Sequence, residues 1–291
     1  MNPLADVLAM DERTYRLWAE QTKGAVFTWT AEAAARLIPA KRSVGSVAVI
    51  PLSGFLTQKP SLFSMLFGGS SVREFAREVV TALADPSVGA VVMDVDSPGG
   101  EVFGVPEAAL AIRSARGTKP LMAVANPIAA SAAYWLAAQA DEMAVTPSGL
   151  AGSIGVFATH VDESKALEQA GLAVTFISYG RRKTEGASTA PLSEDALATI
   201  QARVDAFGRM FEADVAKGRR VSAGKVAKDF GEGAVMTAEE SVKAGLADRV
   251  ATLDEVVAKV ANGYRPAGVA RAYDEKLAEY LAFEVGVKIK A

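Results

Sequence analysis

The stretch VGAVVMDVDSPGGEV, residues 88–102, reads as a buried strand that runs straight into Ser97-Pro98-Gly99-Gly100. Proline removes one donor and fixes φ, while paired glycines admit positive φ and leave backbone N–H groups facing outward. An oxyanion site can be made from backbone in this way, although an ordinary tight strand-to-helix turn fits the same residues. Outward from it, VAVIPLSG (47–54), LMAVAN (121–126), EMAVTP (142–147) and AVTFIS (173–178) are further β-rich runs ending in turn formers. Segments of helical period lie between them, such as Val72, Phe75, Val79 and Leu83. Strands alternating with helices predict an α/β fold with a mostly parallel sheet covered on both sides.

The flanks read differently. Residues 1–45 are expected to form an N-terminal helical extension, with Leu4, Leu8, Tyr15 and Trp18 on one helix and TAEAAARLI, capped by Thr30, on a second. After Lys183 the chain turns helical, with an amphipathic run from Ser193 to about Lys217 and a capping box at Thr237-Ala-Glu-Glu240 that stops at Gly245. Residues 46–262 then form the main domain, and 263–291 a tail ending in the strand-like VGVKI.

Composition narrows the chemistry. Lys and Arg number 31 against 34 Asp and Glu, a net charge of -3 with no long block of one sign, which argues against a nucleic-acid binder. The chain has no Cys and a single His, so disulfides, thiolate nucleophiles and multi-His metal sites within one chain are excluded. No metal or cofactor is expected. The first residues lack a basic n-region and an uninterrupted apolar core, and no stretch approaches the roughly 18 apolar residues of a membrane span, so a soluble, cytoplasmic protein is expected.

NPIAASAAYWLAAQAD, residues 126–141, sets Ser131 at the start of a helix among small residues. Either Ser131 is a helix N-cap, or it is a nucleophile reached by a substrate backbone past its small neighbours. In the second case the amide of Ala132 can join that of Gly100 as an oxyanion donor at a helix start. A serine hydroxyl needs a base. His160 lies 29 residues on, at the entry to a polar helical stretch, and Lys183 lies 52 residues on, in SYGRRKTEGAS. A lysine at its ordinary pKa of roughly 10.4 costs about 4.6 kcal/mol to deprotonate at pH 7, a cost that burial in a dry pocket reduces. A solvated basic loop is the plainer reading of Arg181, Arg182 and Lys183.

Taken in order, DVDSPGG, the AAS-small-small-Tyr-Trp helix, VTPSGLAGSIGVF, the loop lysine and VAKGRRVSAGKVAKDFGEGAVMTAEESVKAGLADRV resemble the signal peptide peptidase (SppA) family of Ser/Lys peptidases. That family belongs to the ClpP/crotonase superfamily, whose fold is a spiral of repeated ββα-type units with a mostly parallel sheet and a helical C-terminal part. The resemblance implies Ser131 as nucleophile, Lys183 as general base, the amides of Gly100 and Ala132 as the oxyanion hole, and Ser153 orienting the lysine amine. It also implies a protein or peptide substrate and a homo-oligomeric ring or dome. With no membrane anchor in the sequence, the chain looks like the bacteriophage branch of head-maturation proteases related to lambda capsid protein C. Scaffold, portal or capsid proteins are then the expected partners, in the host cytoplasm or prohead.

Three rivals remain at this point. One is a ClpP-like peptidase pairing Ser131 with His160 and Asp162. Another is a crotonase-fold acyl-CoA enzyme using Glu101 and Glu107, and the last is a non-catalytic capsid or scaffold subunit.

Overall fold

The computed structural model describes residues 8–10, 42–44, 46–60, 68–117 and 119–266. In chain order β1 (Leu8–Met10) and β2 (Arg42–Val44) precede β3 (Val47–Thr57), and β4 (Ser70–Ser71) leads into α1 (Val72–Ala84). Then come β5 (Ala90–Glu101), α2 (Val105–Ser114), β6 (Leu121–Ala130), α3 (Ala132–Ala137), β7 (Glu142–Val145) and β8 (Leu150–Gly152). The remainder is α4 (Ser164–Gln169), α5 (Glu194–Arg219), α6 (Ala223–Asp229), β9 (Val235–Thr237), α7 (Ala238–Ala244), β10 (Arg249–Val250) and α8 (Leu253–Ala261).

The result is a mixed α/β fold with a mainly parallel sheet. Its strands run β10-β7-β6-β5-β3-β2, and only β2 is antiparallel to its neighbour in that path. Because successive side chains alternate faces, one strand feeds two cores. Val91, Met93 and Val95 of β5 pack with Phe75 and Val79 of α1, Ile112 of α2 and Trp135 of α3. Ala90 and Val92 meet the opposite cluster, closed by Val256, Val257 and Val260 of α8. Both faces are covered, as the continuous apolar runs require.

Two ladder breaks shape the end of the sheet where the serine lies. Between β5 and β6, Val95 pairs with Ala125 but Ser97 pairs with Ala129, so Asn126, Pro127 and Ile128 stand against Asp96 alone and β6 carries two extra residues. Proline lacks the N–H that a ladder needs, and a bulge of this kind re-aims the strand beyond it. After the bulge, Ile128–Ala130 takes a new parallel partner, β8, which in turn pairs antiparallel with β9. Ser131 is the next residue.

Several expectations change. SPGG is not a turn: β5 continues extended through it to Glu101. AVTFIS (173–178) forms no ladder, and Val174, Phe176 and Ile177 are exposed, with Ile177 99% accessible. An apolar β-rich run becomes a strand only when an edge is available to it. Leu8, assigned to a helix, lies on β1 instead, while Leu4, Tyr15, Trp18, Thr30 and the terminal VGVKI fall outside the described residues. Past residue 262, the Tyr264 hydroxyl donates to Glu142 Oε1 at 2.5 Å and its ring packs against the cluster that α8 closes.

The helical expectations after Lys183 hold. Ser193 Oγ accepts from Ala196 N to cap α5, and Glu240 accepts from Thr237 N and Oγ1 before α7 ends at Gly245. The short basic run at 218–220 is used internally. Arg219 forms a two-point pair with Asp248 at 2.8 Å, and Arg220 reaches Asp141 at 3.5 Å.

Candidate active site

Ser131 occupies the corner between β6 and α3 with φ 55° and ψ −124°. This is a region that residues with a Cβ rarely enter, at a cost of order 1–3 kcal/mol, and such strain persists only where the surroundings over-determine it. Here they do. Ser131 N donates to Gly152 O at 2.8 Å, and Ser131 O accepts from Trp135 N at 2.9 Å. Behind the corner, Trp135 stacks on Phe211 at 4.3 Å between ring centres and donates from Nε1 to Asp214 Oδ2. Tyr134 donates its hydroxyl to Leu246 O at 3.0 Å, and burial pushes that phenol well up, so it remains a donor. Leu246 directly follows Gly245, where α7 ends.

The helix-cap alternative can now be tested. Ser131 makes no side-chain cap hydrogen bond to α3, and its Oγ is buried with no hydrogen-bond partner. An orphaned buried hydroxyl costs about 1–3 kcal/mol, whereas a cap would stabilise by about 1. The corner therefore carries a stability loss that a capping role cannot account for, and the hydroxyl is left free to act.

The neighbouring positions are set by the same ladders. Ala130 pairs with Gly152, so Ser131 and Ser153 leave adjacent parallel strands together, and both have φ 55°. Ser153 is buried and its N donates to Ala234 O at 2.8 Å. Ala132 is the first residue of α3, where helix geometry gives its amide no intrahelical acceptor. Gly100 is held for a reason other than φ: a Cβ there would lie 2.1 Å from Leu56 O and 2.5 Å from Leu56 N of β3. Its partner Gly99 does need the left-handed region, at φ 104°, and Ser97 braces the pair by donating to Gly54 O at 2.6 Å and accepting from Gly99 N.

Neither candidate base is hydrogen-bonded to Ser131 Oγ among the described residues. Lys183 is exposed in a run of turns, its N donating to Gly180 O, and no described residue pairs with Ser131 Oγ. Its neighbours are engaged at the surface, Arg181 with Asp195 at 3.9 Å and Arg182 with Glu185 at 3.7 Å and Thr199. His160 Nε2 is buried without a partner, and Asp162 accepts from Ser164 N at 2.9 Å. Those bonds from Ser164 hold the Asp162 carboxyl below its usual range, and among the described residues neither Ser131 Oγ nor His160 Nε2 has a hydrogen-bond partner, so the two are not bonded to each other. Glu101 accepts from Gln58 N at 3.2 Å, and Glu107 is exposed in the first turn of α2.

Sequence reasoning missed two features of the site. One is the Gly152 carbonyl that anchors Ser131; no spacing rule links residues 131 and 152. The other is β1, which pairs antiparallel with the last residues of β5, Ala9 opposite Gly100. Among the described residues, no group of three or more His, Cys, Asp or Glu could hold a metal ion, and no helix is long and apolar enough to cross a membrane.

With this geometry in hand, the relatives can be compared. The profile of Peptidase family S49 matches residues 113–265, which include Ser131, Ser153 and Lys183. The chain is 33% identical over 214 residues to the capsid assembly protease C of Escherichia phage lambda, covering 74% of this chain and 48% of that protein. It is 33% identical over 220 residues to the head-tail preconnector protein GP5 of Enterobacteria phage P21, covering 76% and 44%. Protease 4 of Salmonella typhi is 29% identical over 228 residues, covering 75% and 34%. The chain thus spans less than half the length of each of these three proteins.

Proposed function

Since the chain belongs to peptidase family S49, we propose that it is a serine endopeptidase working through a Ser131/Lys183 dyad, on a ClpP/crotonase-like spiral fold. The observation that carries this reading is the Ser131 corner: a strained, buried serine whose hydroxyl neither caps a helix nor bonds to anything else. In the reaction, the neutral amine of Lys183 takes the Ser131 proton as Oγ bonds to the substrate carbonyl carbon. The carbonyl π pair moves onto oxygen, where the amides of Gly100 and Ala132 stabilise it. Collapse expels the amine, which takes the proton from Lys183, and an acyl-enzyme remains. Water then attacks that ester with Lys183 again as base, releasing the acid and restoring Ser131. Ser153 orients the lysine amine from the adjacent strand end.

Lys183 has to be covered for this to work, because excluding water disfavours the charged form of an amine. The exposed apolar run that precedes it, with Ile177 and Tyr179 almost wholly accessible, supports a homo-oligomeric ring or dome in which a neighbour closes over residues 171–186. The phage relatives support scaffold, portal or capsid proteins as substrates and the host cytoplasm or prohead as the setting.

The test is to expose the native chain, Ser131→Ala and Lys183→Ala to an alkyl fluorophosphonate, and to co-express each with a scaffold or capsid partner for mass spectrometry of the released peptides. Labelling and cleavage confined to the native chain are expected. Labelling that persists in Ser131→Ala, or cleavage undiminished in Lys183→Ala, would overturn the dyad.

A further inference from the structure

We infer that the open edge of β5 at Gly99–Glu101 is a peptide-binding edge, and that the chain's own N-terminal segment occupies it as a tethered competitor of substrate. The two edges of β5 end differently. On one edge β3 stays paired to the end, with Phe55 opposite Gly99 and Leu56 opposite Gly100. On the other, the ladder with β6 ends at Ser97 opposite Ala129, after which β6 departs toward Ser131. Beyond Ser97 this second edge borders the Ser131 corner, and its backbone groups need a partner.

β1 is that partner. Met10, Ala9 and Leu8 pair antiparallel with Gly99, Gly100 and Glu101, and since β3 holds the other edge, β1 lies on the side toward Ser131. An added strand is recognised chiefly through main-chain hydrogen bonds, so an edge that takes Leu8–Met10 also takes an extended peptide of another sequence. Among the described residues β1 pairs with no strand other than β5, and a ladder of three residues by itself holds it weakly against a rival. What favours it is its covalent link, which makes its competition with a free peptide intramolecular. A substrate must therefore displace β1, which suits an enzyme that should stay idle until substrate is concentrated around it. The competitor role rests on the Ser131 peptidase reading; the binding edge does not.

Three forms of the full-length protein or its shortened chain test this. They are the native chain, a chain lacking residues 1–11, and the full-length double variant Leu8→Pro/Ala9→Pro, in which proline removes ladder donors without shortening anything. Amide hydrogen exchange over residues 98–102 reads the edge, and the rate of labelling by an alkyl fluorophosphonate reads Ser131. Both altered chains should exchange faster at 98–102 and label about tenfold faster or more. The synthetic peptide of residues 4–14, LADVLAMDERT, added at millimolar concentration, should reverse both effects. If exchange is the same in the native chain and the double variant, or the peptide fails to slow exchange in either altered chain, the binding edge is refuted. If the peptide saturates the edge while labelling proceeds at an unchanged rate, the competitor role is refuted. If no chain labels at all while exchange responds as expected, the peptidase reading falls and the peptide-binding edge stands.

Discussion

Ser131 stands on a corner gripped by Gly152 across a ladder, by Trp135 within its helix and by the buried ring of Tyr134 beside it. Lys183 stands on an exposed run of turns, preceded by an apolar segment with no strand to pair with. Both belong to the proposed dyad, yet one chain completes only the first. The contrast teaches that strain and an orphaned hydroxyl are sustained inside a rigid core, so folding alone sets the geometry of the proposed nucleophile. A base on a surface segment has no such support, and assembly or substrate has to supply it.

This contrast can be broken most directly by removing each partner. Ser131→Ala and Lys183→Ala should each lower turnover by roughly 10³-fold or more, and Lys183→Arg should be equally inactive because arginine does not give up its proton. Thermal melting should separate them: Ser131→Ala is expected to gain about 1 kcal/mol, a rise of roughly 2–4 °C, and Lys183→Ala to stay within about 0.5 kcal/mol. A lower melting temperature for Ser131→Ala would mean the hydroxyl has a structural partner after all. The next largest effect belongs to the rigid region, where Gly100→Ala drives a Cβ into the Leu56 backbone and should cost about 3 kcal/mol in a denaturant titration.

Smaller effects sharpen the other side. Ile177→Ser should leave the denaturation midpoint of the single chain unchanged within about 0.5 kcal/mol while shifting sedimentation toward smaller species. His160→Ala should leave turnover within about twofold, and a loss equal to that of Ser131→Ala would restore the Ser/His reading. The smallest effect is a pH response in the helical part. Hydrogen bonds from the Thr237 backbone and hydroxyl lower the pKa of Glu240, so its capping contribution is complete above the unfolded carboxylate pKa. It is lost as pH falls through the lower folded value. Amide exchange in α7 should therefore quicken on acidification, and less so in Glu240→Gln.

The strands flanking SPGG were legible because a two-sided parallel sheet writes itself as continuous apolar runs, and the caps of α5 and α7 because a capping box is a local contact. AVTFIS misled because its residues report a preference for a pleated, half-buried surface, and among the described residues it pairs with no strand. SPGG misled in a different way. Its glycines suggested a turn, but Gly100 is required by the closeness of β3, a neighbour 44 residues away in sequence that no local pattern announces.

The sequence by itself determined the class of fold and the short list of reactive groups, since periodicity, cysteine and histidine counts, and small residues around a serine are all local quantities. Only the tertiary structure decided that the Ser131 hydroxyl is unpartnered and does not cap its helix, that Asp162 serves Ser164, and that β1 lies on the edge beside the serine. Each of these depends on which backbone groups remain unpaired once distant segments have closed their ladders, and that remainder is fixed by the fold as a whole.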